Sequence, residues 1–351
     1  MSQLHLASLT RIADFDKNPY DVHPFAHDRW ENGDYVLTEV TGTPSELYQV
    51  ETCDGEMVPV EPGDQIIGAL GHREATLEGV GSYTAVVRNK MHALTSAGLL
   101  GAFTSFSIML PRPLSLVYRG HIVRDNRKIT MRDFAIRTDA RGFEVPTLLI
   151  VGTSMSAGKS VTGRRACEVL SEAGLRVIGG KLTGAGRYRD IVSFHKHGAF
   201  EVYDFVDAGL PSTVGPPEEF RKAIRPLLAH INSRKPDFFV AEAGASPLEP
   251  YNGETAIEEL GDNIVCNILC ASDPYAVVGV RQGFTLEPDL VAGPAAQTSA
   301  AIELVRKLTG LRAINVIDRR TLPEFRTFLE TKLSIPLSQP EVTRAGSHEI
   351  L

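Results

Sequence analysis

Cysteine is scarce in this chain, with four in 351 residues, too few for a disulfide scaffold. Cys266 and Cys270 lie in the apolar run Ile264-Val265-Cys266-Asn267-Ile268-Leu269-Cys270 and read as buried strand residues. No second Cys/His pair accompanies them at zinc-site spacing. Long apolar runs are missing too, and none approaches the ~20 residues of a membrane span. The start, Met1-Ser2-Gln3-Leu4-His5, lacks the basic-then-apolar layout of a signal peptide, so a cytoplasmic location is expected. Positive charge is in deficit: 36 Lys+Arg against 43 Asp+Glu give a formal charge of −7. That argues against nucleic-acid or membrane binding, which needs a basic face. A small cationic pocket remains compatible with it. No internal repeat or low-complexity segment interrupts the chain. The 43% hydrophobic and 23% charged content is that of a soluble globular protein. At roughly 100–200 residues per domain, the length suggests two.

The composition changes near residue 145. Before it, short β-rich runs alternate with turn signals, and residues 1–144 read as a mostly β domain of unknown role. Residues 35–40, 47–52, 65–70, 114–118 and 121–124 read as strands. Asp54-Gly55 is a hairpin signal, and Glu61-Pro62-Gly63-Asp64 is a turn feeding an apolar strand. Residues 93–102 read as a short helix. After it, strands alternate with helices. Residues 146–151, 175–179, 237–242, 264–269, 290–292 and 313–317 read as strands, and residues 160–173, 218–233 and 296–308 as helices. Gly174 serves as a C-cap. The last dozen residues look frayed. Such alternation predicts an α/β fold, a parallel sheet covered on both faces, over residues 145–340.

The strongest chemical signal is Gly152-Thr153-Ser154-Met155-Ser156-Ala157-Gly158-Lys159-Ser160, followed by Val161. It follows a predicted strand and opens a predicted helix, the context that a phosphate-binding loop requires. Backbone N–H groups cradle phosphate oxygens there, and the helix N-terminus adds positive charge. Lys159 is expected on the β- and γ-phosphates and Ser160 on Mg²⁺. Five residues, not the usual four, separate Gly152 from Gly158, so Thr153 occupies the first glycine's place. A solvated lysine on an ordinary βα turn is the plain alternative, which the strand–loop–helix context disfavours.

This spacing resembles that of dethiobiotin synthetase, whose loop runs Gly-Thr, variable residues, then Gly-Lys-Thr. Two further segments fit the template. Gly179-Gly180-Lys181-Leu182-Thr183-Gly184 resembles that family's second strand, which ends in a substrate-binding lysine, although the family has Pro where this chain has Leu182. Phe239-Val240-Ala241-Glu242-Ala243-Gly244-Ala245 resembles its Glu-Gly-Ala-Gly strand end, where the Glu helps bind Mg²⁺. The wider layout is similar to a family of P-loop proteins that includes D-glutamate N-acetyltransferase-like members. The shared features are the loop, an Asp-rich segment from Asp204 to Thr213, the Glu242 to Ser246 strand end, and Leu308-Thr309-Gly310-Leu311. The resemblance spans about residues 146–318 and implies a P-loop NTPase-like, nucleotide-binding domain.

Ligands of open parallel sheets sit at the C-terminal strand ends. Four predicted strand ends carry suitable groups. Lys159, Lys181 and Glu242 are the candidate catalytic residues. Lys181, Thr183, Gly184 and Arg187 are the candidate substrate holders, with Arg189 beside them. Glu242 and Ser160 are the candidate metal ligands, with Asp207 or Asp204 as a third. The glycines around Lys181 are expected to let backbone approach a ligand. Asp207-Ala208-Gly209-Leu210-Pro211 also reads as a plain turn, and His195 and His197 as a solvated helix face rather than a general base. His23 and His27 are spaced i,i+4, but Pro24 opposes a helix there. The loop from Ala245 to Gly253 is a candidate contact for substrate or a second subunit. The favoured reading is a Mg²⁺–ATP-dependent ligase or kinase-like enzyme acting on a small anionic metabolite, with ATP and Mg²⁺ as its expected cofactors. ATP is preferred to GTP because no Asn-Lys-x-Asp is present. The alternatives are an acetyl-CoA-dependent N-acyltransferase and a nucleotide-gated binding module. A homo-oligomer is expected.

Overall fold

A computed structural model describes residues 2–42, 49–284 and 287–337. The first part is a small barrel. Strands Gln65–Leu70, Tyr35–Val40, Ser115–Arg124, Lys90–Ala93 and Leu99–Phe106 pair in that order. The ring closes by parallel pairing of Leu99 with Ala69 and Leu100 with Leu70. The two strands expected at 114–118 and 121–124 are one strand, bulged between Tyr118 and Gly120. A Cβ at Gly120 would stand 2.6 Å from Val22 Cγ1, so only glycine admits the strand that crosses there. Asp54-Gly55 does turn a hairpin, between Val50–Glu51 and Met57–Val58. Residues 47 and 48 of the strand expected there lie outside the described residues, as do the last dozen.

The expected helix over 93–102 is absent. Lys90–Ala93 and Leu99–Phe106 are strands, joined by a tight turn in which the Leu94 N–H donates to Leu99 O at 2.7 Å. The apolar residues of that stretch fit either state by periodicity. Gly98, at φ +85°, and pairing with both neighbouring strands decide for the turn.

The second part is an α/β fold. Its strands are β1 (Thr147–Gly152), β2 (Val177–Thr183), β3 (Glu201–Asp204), β4 (Phe238–Ala243), β5 (Ile264–Cys270) and β6 (Leu290–Ala292). They form one sheet in the order β3-β2-β4-β1-β5-β6, with every pairing parallel. The helices are α1 (Lys159–Glu172), α2 (Tyr188–His195), α3 (Pro217–Ser233), α4 (Gly253–Leu260), α5 (Pro274–Gly283), α6 (Ser299–Thr309) and α7 (Leu322–Leu333). Residues 313–317 form no strand; Ala313 makes only an isolated bridge to Val291. Every residue of β1 is buried, because side chains alternate between two covered faces. Leu148 and Ile150 pack with Ala166 and Leu170 of α1 and Phe325 of α7. Leu149 and Val151 pack on the opposite side with Ile224 and Leu227 of α3.

That second core does not stop at the α/β part. It continues into the barrel through Leu9, Tyr35, Ile67, Leu94 and Leu99. Polar contacts reinforce the junction. The Glu74 N–H donates to the Tyr251 hydroxyl at 2.9 Å, and Thr76 donates to the Glu249 carboxylate. The loop from Ala245 to Gly253 thus fastens the barrel. At the far end of β3, Arg11 bridges Asp204 at 2.6 Å and Asp207 at 2.9 Å. Burial works against the guanidinium's charge, but the two carboxylates outweigh it and raise the Arg11 pKa.

Replacing Arg11 by Met strands two carboxylates at this junction. It is expected to lower stability by about 3–5 kcal/mol, the usual cost of breaking a buried pair from one side. Adding Asp207→Asn to Arg11→Met should recover part of that loss in a chemical-denaturation series. A single variant as stable as wild type would show that Arg11 does not hold the two parts together.

Candidate functional site

Sheet register sets the floor of the site. Ile150 of β1 pairs with Glu242 of β4, and Glu242 pairs with Lys181 of β2. The candidate lysine and glutamate therefore stand side by side at the C-terminal edge, where open parallel sheets bind ligands. Both are buried. Between β1 and α1 runs the phosphate loop, with Ser156 at φ 62° and Gly158 at φ 93°. Left-handed residues of this kind turn successive N–H groups to one side, the conformation of an anion-binding nest. Gly158 immediately precedes α1, so the positive end of the helix opens onto the same place.

Lys159 folds back over its own loop. Its Nζ donates to Ser154 O at 2.7 Å, and a Cβ at Gly152 would stand 2.8 Å from that Nζ. Gly152 is thus required by the lysine's path. Burial lowers the Lys159 pKa, and Glu242 opposes the shift. Thr153 and Ala157 anchor the loop from behind. Thr153 Oγ1 accepts from the Ser272 N–H at 3.1 Å, and Gly293 packs against the Ala157 carbonyl.

Lys181 reaches Asp190 of α2 at 2.7 Å. The geometry follows from helix packing. Phe194 fills the space left by Gly163 of α1 and Gly179 of β2, and Asp190, four residues earlier, shares its helix face. Burial acts to lower the Lys181 pKa, but Asp190 and then Glu242 outweigh it and raise it. For Asp190 burial acts upward, and the Lys181 charge holds it below its ordinary range. α2 is short and has no cap of its own. The barrel supplies one: Glu51 accepts from the Tyr188 N–H at 2.6 Å and the Arg189 N–H at 3.3 Å. Helix N-termini need such an acceptor.

A cavity of about 630 Å³ lies above these groups. Its α/β wall includes Met155, Ser156, Gly158, Lys159, Ser160 and Val161 of the loop, then Lys181, Arg187, Arg189, Asp190 and Glu242. Arg187 and Arg189 are exposed, and neither forms a salt bridge among the described residues. The opposite wall belongs to the barrel, with Arg73, Glu78, Leu94, Thr95, Ser96 and Phe106. Sequence reasoning missed this wall, because no motif marks it and its residues come within reach only through the fold. Met155 and Asp190 were missed as well; the acidic residue nine positions after Lys181 was the one available signal.

The structure brings Ser156, Gly158, Lys159, Ser160, Val161, Lys181, Arg187 and Glu242 together, and it departs from the expectations elsewhere. Asp207 and Asp204 are not in the cavity lining, because Arg11 holds both. Thr183 and Gly184 lie beneath the floor: the Gly184 N–H donates to Thr213 Oγ1 at 2.9 Å. Gly179 and Gly180 do not admit a ligand. They make room for Phe194 and Phe239. Gly152, Thr153, Ser154 and Ala157 shape the loop without lining the cavity.

The residues present fit a divalent cation. Burial raises the Glu242 pKa against the pull of Lys181, and Ser160 lines the same cavity. Glu242 Oε2 is buried with no hydrogen-bond partner. Among the described residues no group of three His, Cys, Asp or Glu side chains could hold a metal. A hydroxyl and one carboxylate suit Mg²⁺, which keeps its other positions for phosphate and water. No helix among the described residues is long and apolar enough to cross a membrane.

No family model matches the sequence, and no curated protein does. Among solved structures, the chain is similar to HypB from Helicobacter pylori in complex with nickel, at 18% identity and TM-score 0.34, over 54% of this chain and 88% of that one. It is similar to chloroplast FtsY from Physcomitrella patens at 12% identity and TM-score 0.34, over 55% and 66%. It is similar to a ParA family ATPase from Chlorobium tepidum TLS at 14% identity and TM-score 0.31, over 54% and 92%. At these scores the likenesses add nothing to the site as its own residues define it.

Asp190→Asn removes the counter-charge of a buried lysine, a loss on the order of 3 kcal/mol. A carboxylate held below its ordinary value of 3.8 contributes fully above that pH and is lost as pH falls through its folded value. The melting-temperature gap between wild type and the variant should therefore be full at neutral pH and close only in strong acid. A gap that closes near neutrality would assign the loss to another group.

Proposed function

We propose that this protein is a Mg²⁺- and ATP-dependent enzyme that activates a small carboxylate-bearing metabolite by phosphoryl transfer. The observation that carries the reading is the buried Lys159–Glu242–Lys181 row beneath a cavity that the helix α1 N-terminus enters. Lys159 and the loop N–H groups would hold the phosphates. Bound Mg²⁺ would supply charge neutralisation between the phosphates, with Ser160 and Glu242 as its protein ligands. Arg187 and Arg189, exposed and without salt bridges among the described residues, would meet the carboxylate, as guanidinium groups do. A carboxylate oxygen attacking the γ-phosphorus forms one P–O bond as the bond to the β–γ bridging oxygen breaks. ADP leaves with that electron pair, and an amine can then capture the acyl phosphate and release phosphate. The chain's own contribution is positioning and charge stabilisation.

The test combines binding and turnover. Thermal shifts with ATP, GTP and CoA, each with and without Mg²⁺, should give the largest stabilisation with Mg²⁺–ATP. At a hundredfold excess over Kd that is about 2.7 kcal/mol. A panel of carboxylates with an amine present should release ADP and phosphate. Lys159→Ala should cut kcat by about 100-fold or more, the scale of losing a charge donor to the transition state. Arg187→Ala combined with Arg189→Ala should act on the carboxylate's KM and leave the ATP shift intact. Stabilisation by CoA alone would replace this reading with acyl transfer. ATP binding without turnover would leave a nucleotide-gated module.

A further inference from the structure

The cavity stands over one side of the sheet. Its α/β lining ends at Gly244, so it lies above β1, β4 and β2, and no residue of β5, β6 or the loops after them takes part. The barrel wall that faces this side is apolar where it is accessible. Met57, Phe106 and Pro111 are half-buried and Leu110 is exposed, and Met155 and Val161 on the α/β wall are half-buried. Of the barrel wall's polar residues, Arg73 and Glu78 pair with each other, the hydroxyl oxygens of Thr95 and Ser96 are shut off from the cavity, and Gln49 is uncharged. Phe106 is placed by its neighbouring strand. Gly79–Ser82 pairs with Leu99–Phe106, and a Cβ at Gly79 would stand 3.0 Å from both Phe103 Cε1 and Phe106 Cδ2. The two rings meet edge to face at 4.9 Å. Beyond Phe106 the chain carries apolar surface outward. Ile108 is 95% exposed and Met109 87%, with Leu77 and Val80 exposed on the neighbouring turn, which the Ser107 N–H joins through Glu78 O at 2.9 Å. Large apolar side chains left together in water mark a surface that receives something. This surface runs into the cavity through Phe106, Leu110 and Pro111, so its occupant is a molecule that enters the cavity.

We propose that the barrel wall binds an aliphatic chain on the substrate, so that the metabolite is a monocarboxylate with an apolar tail of several carbons. This rests on the phosphoryl-transfer reading, which puts the phosphates on the loop and the carboxylate at Arg187 and Arg189. The tail lies against Phe106 and Leu110, and longer tails reach the rim at Ile108 and Met109. A mostly apolar pocket with a few charged groups orients its ligand in this way, and each methylene taken from water adds to binding. The nucleotide base is the other apolar group in the reaction. The tail is favoured because Lys181, Arg187 and Arg189 stand on the side of the loop that this wall faces.

Full-length protein is loaded with Mg²⁺ and a non-hydrolysable ATP analogue, whose own isotherm is read first. Butyrate, hexanoate, octanoate and decanoate are then titrated by calorimetry, with adipate and 1-octanol as controls. Kd is expected to fall by about two- to fourfold per added methylene. Adipate carries a second charge to the wall and 1-octanol lacks the first. Each should bind at least about 10-fold more weakly than the monocarboxylate of its own length. Phe106→Ser with Leu110→Ser should remove most of the chain-length dependence, and Phe106→Leu should keep it. Ile108→Ser with Met109→Ser should weaken octanoate and decanoate alone, and both side chains are too exposed for the fold to rest on them. No chain-length dependence in wild type, a dependence that survives Phe106→Ser with Leu110→Ser, or 1-octanol bound as tightly as octanoate overturns the proposal. So does a weaker isotherm for the analogue in that variant at an unchanged melting temperature, which assigns the wall to the nucleotide base. If that variant unfolds, the Ile108 and Met109 pair decides, and long chains bound as in wild type overturn the proposal. Failure of the analogue, or of every carboxylate, to bind overturns the phosphoryl-transfer reading and this one with it.

Discussion

Buried charge must be balanced where it stands, and this site rests on that constraint. Lys159, Lys181 and Glu242 are buried, and Asp190 is largely so. Two positive and two negative groups share the floor of the cavity. Removing any one leaves an uncompensated charge in a medium that stabilises it poorly. The surrounding structure serves this balance. The register of β2 on β4 sets Lys181 beside Glu242. Phe194, seated on two glycines, sets Asp190 against Lys181. Glu51 holds the start of α2, so the helix cannot turn the carboxylate away. The formal charge of −7 is therefore a property of the whole chain and not of this cavity, whose rim carries Arg187 and Arg189.

Much of the α/β part was legible because its signals are local. A buried strand reads as an apolar run, a phosphate loop as glycines at fixed offsets, and a helix as a 3.6-residue period. Lys159, Lys181 and Glu242 were singled out because strand ends carry function in parallel sheets, and the structure sets all three at one cavity. The errors share one cause. Asp207 pairs with Arg11 across 196 positions of sequence. The glycines of β2 accommodate rings contributed by α2 and β4 rather than a ligand. The turn at 94–98 reads as helix by periodicity and becomes a cavity wall only when the barrel closes. In each case the deciding contact is distant in sequence, and periodicity carries no record of it.

The two walls differ chemically. The α/β wall has cations, a nest and a partnerless carboxylate oxygen, groups suited to phosphates and their metal. The barrel wall is more neutral, with hydroxyls and apolar side chains such as Leu94 and Phe106 beside the Arg73–Glu78 pair. Charge on one side and shape on the other is a common arrangement for small-molecule sites at the junction of two folding units.

The junction also sets an order of events in folding. Glu51 lies 137 positions before Tyr188, and Glu74 lies 177 before Tyr251. Contacts that span so much chain require long loops to close before they return any free energy, and such topologies fold slowly. Strands and helices within each part can form from nearby contacts, while the cavity waits for the barrel to meet α2 and the loop before α4. The cavity therefore exists only once the two parts have met, since residues of both line it.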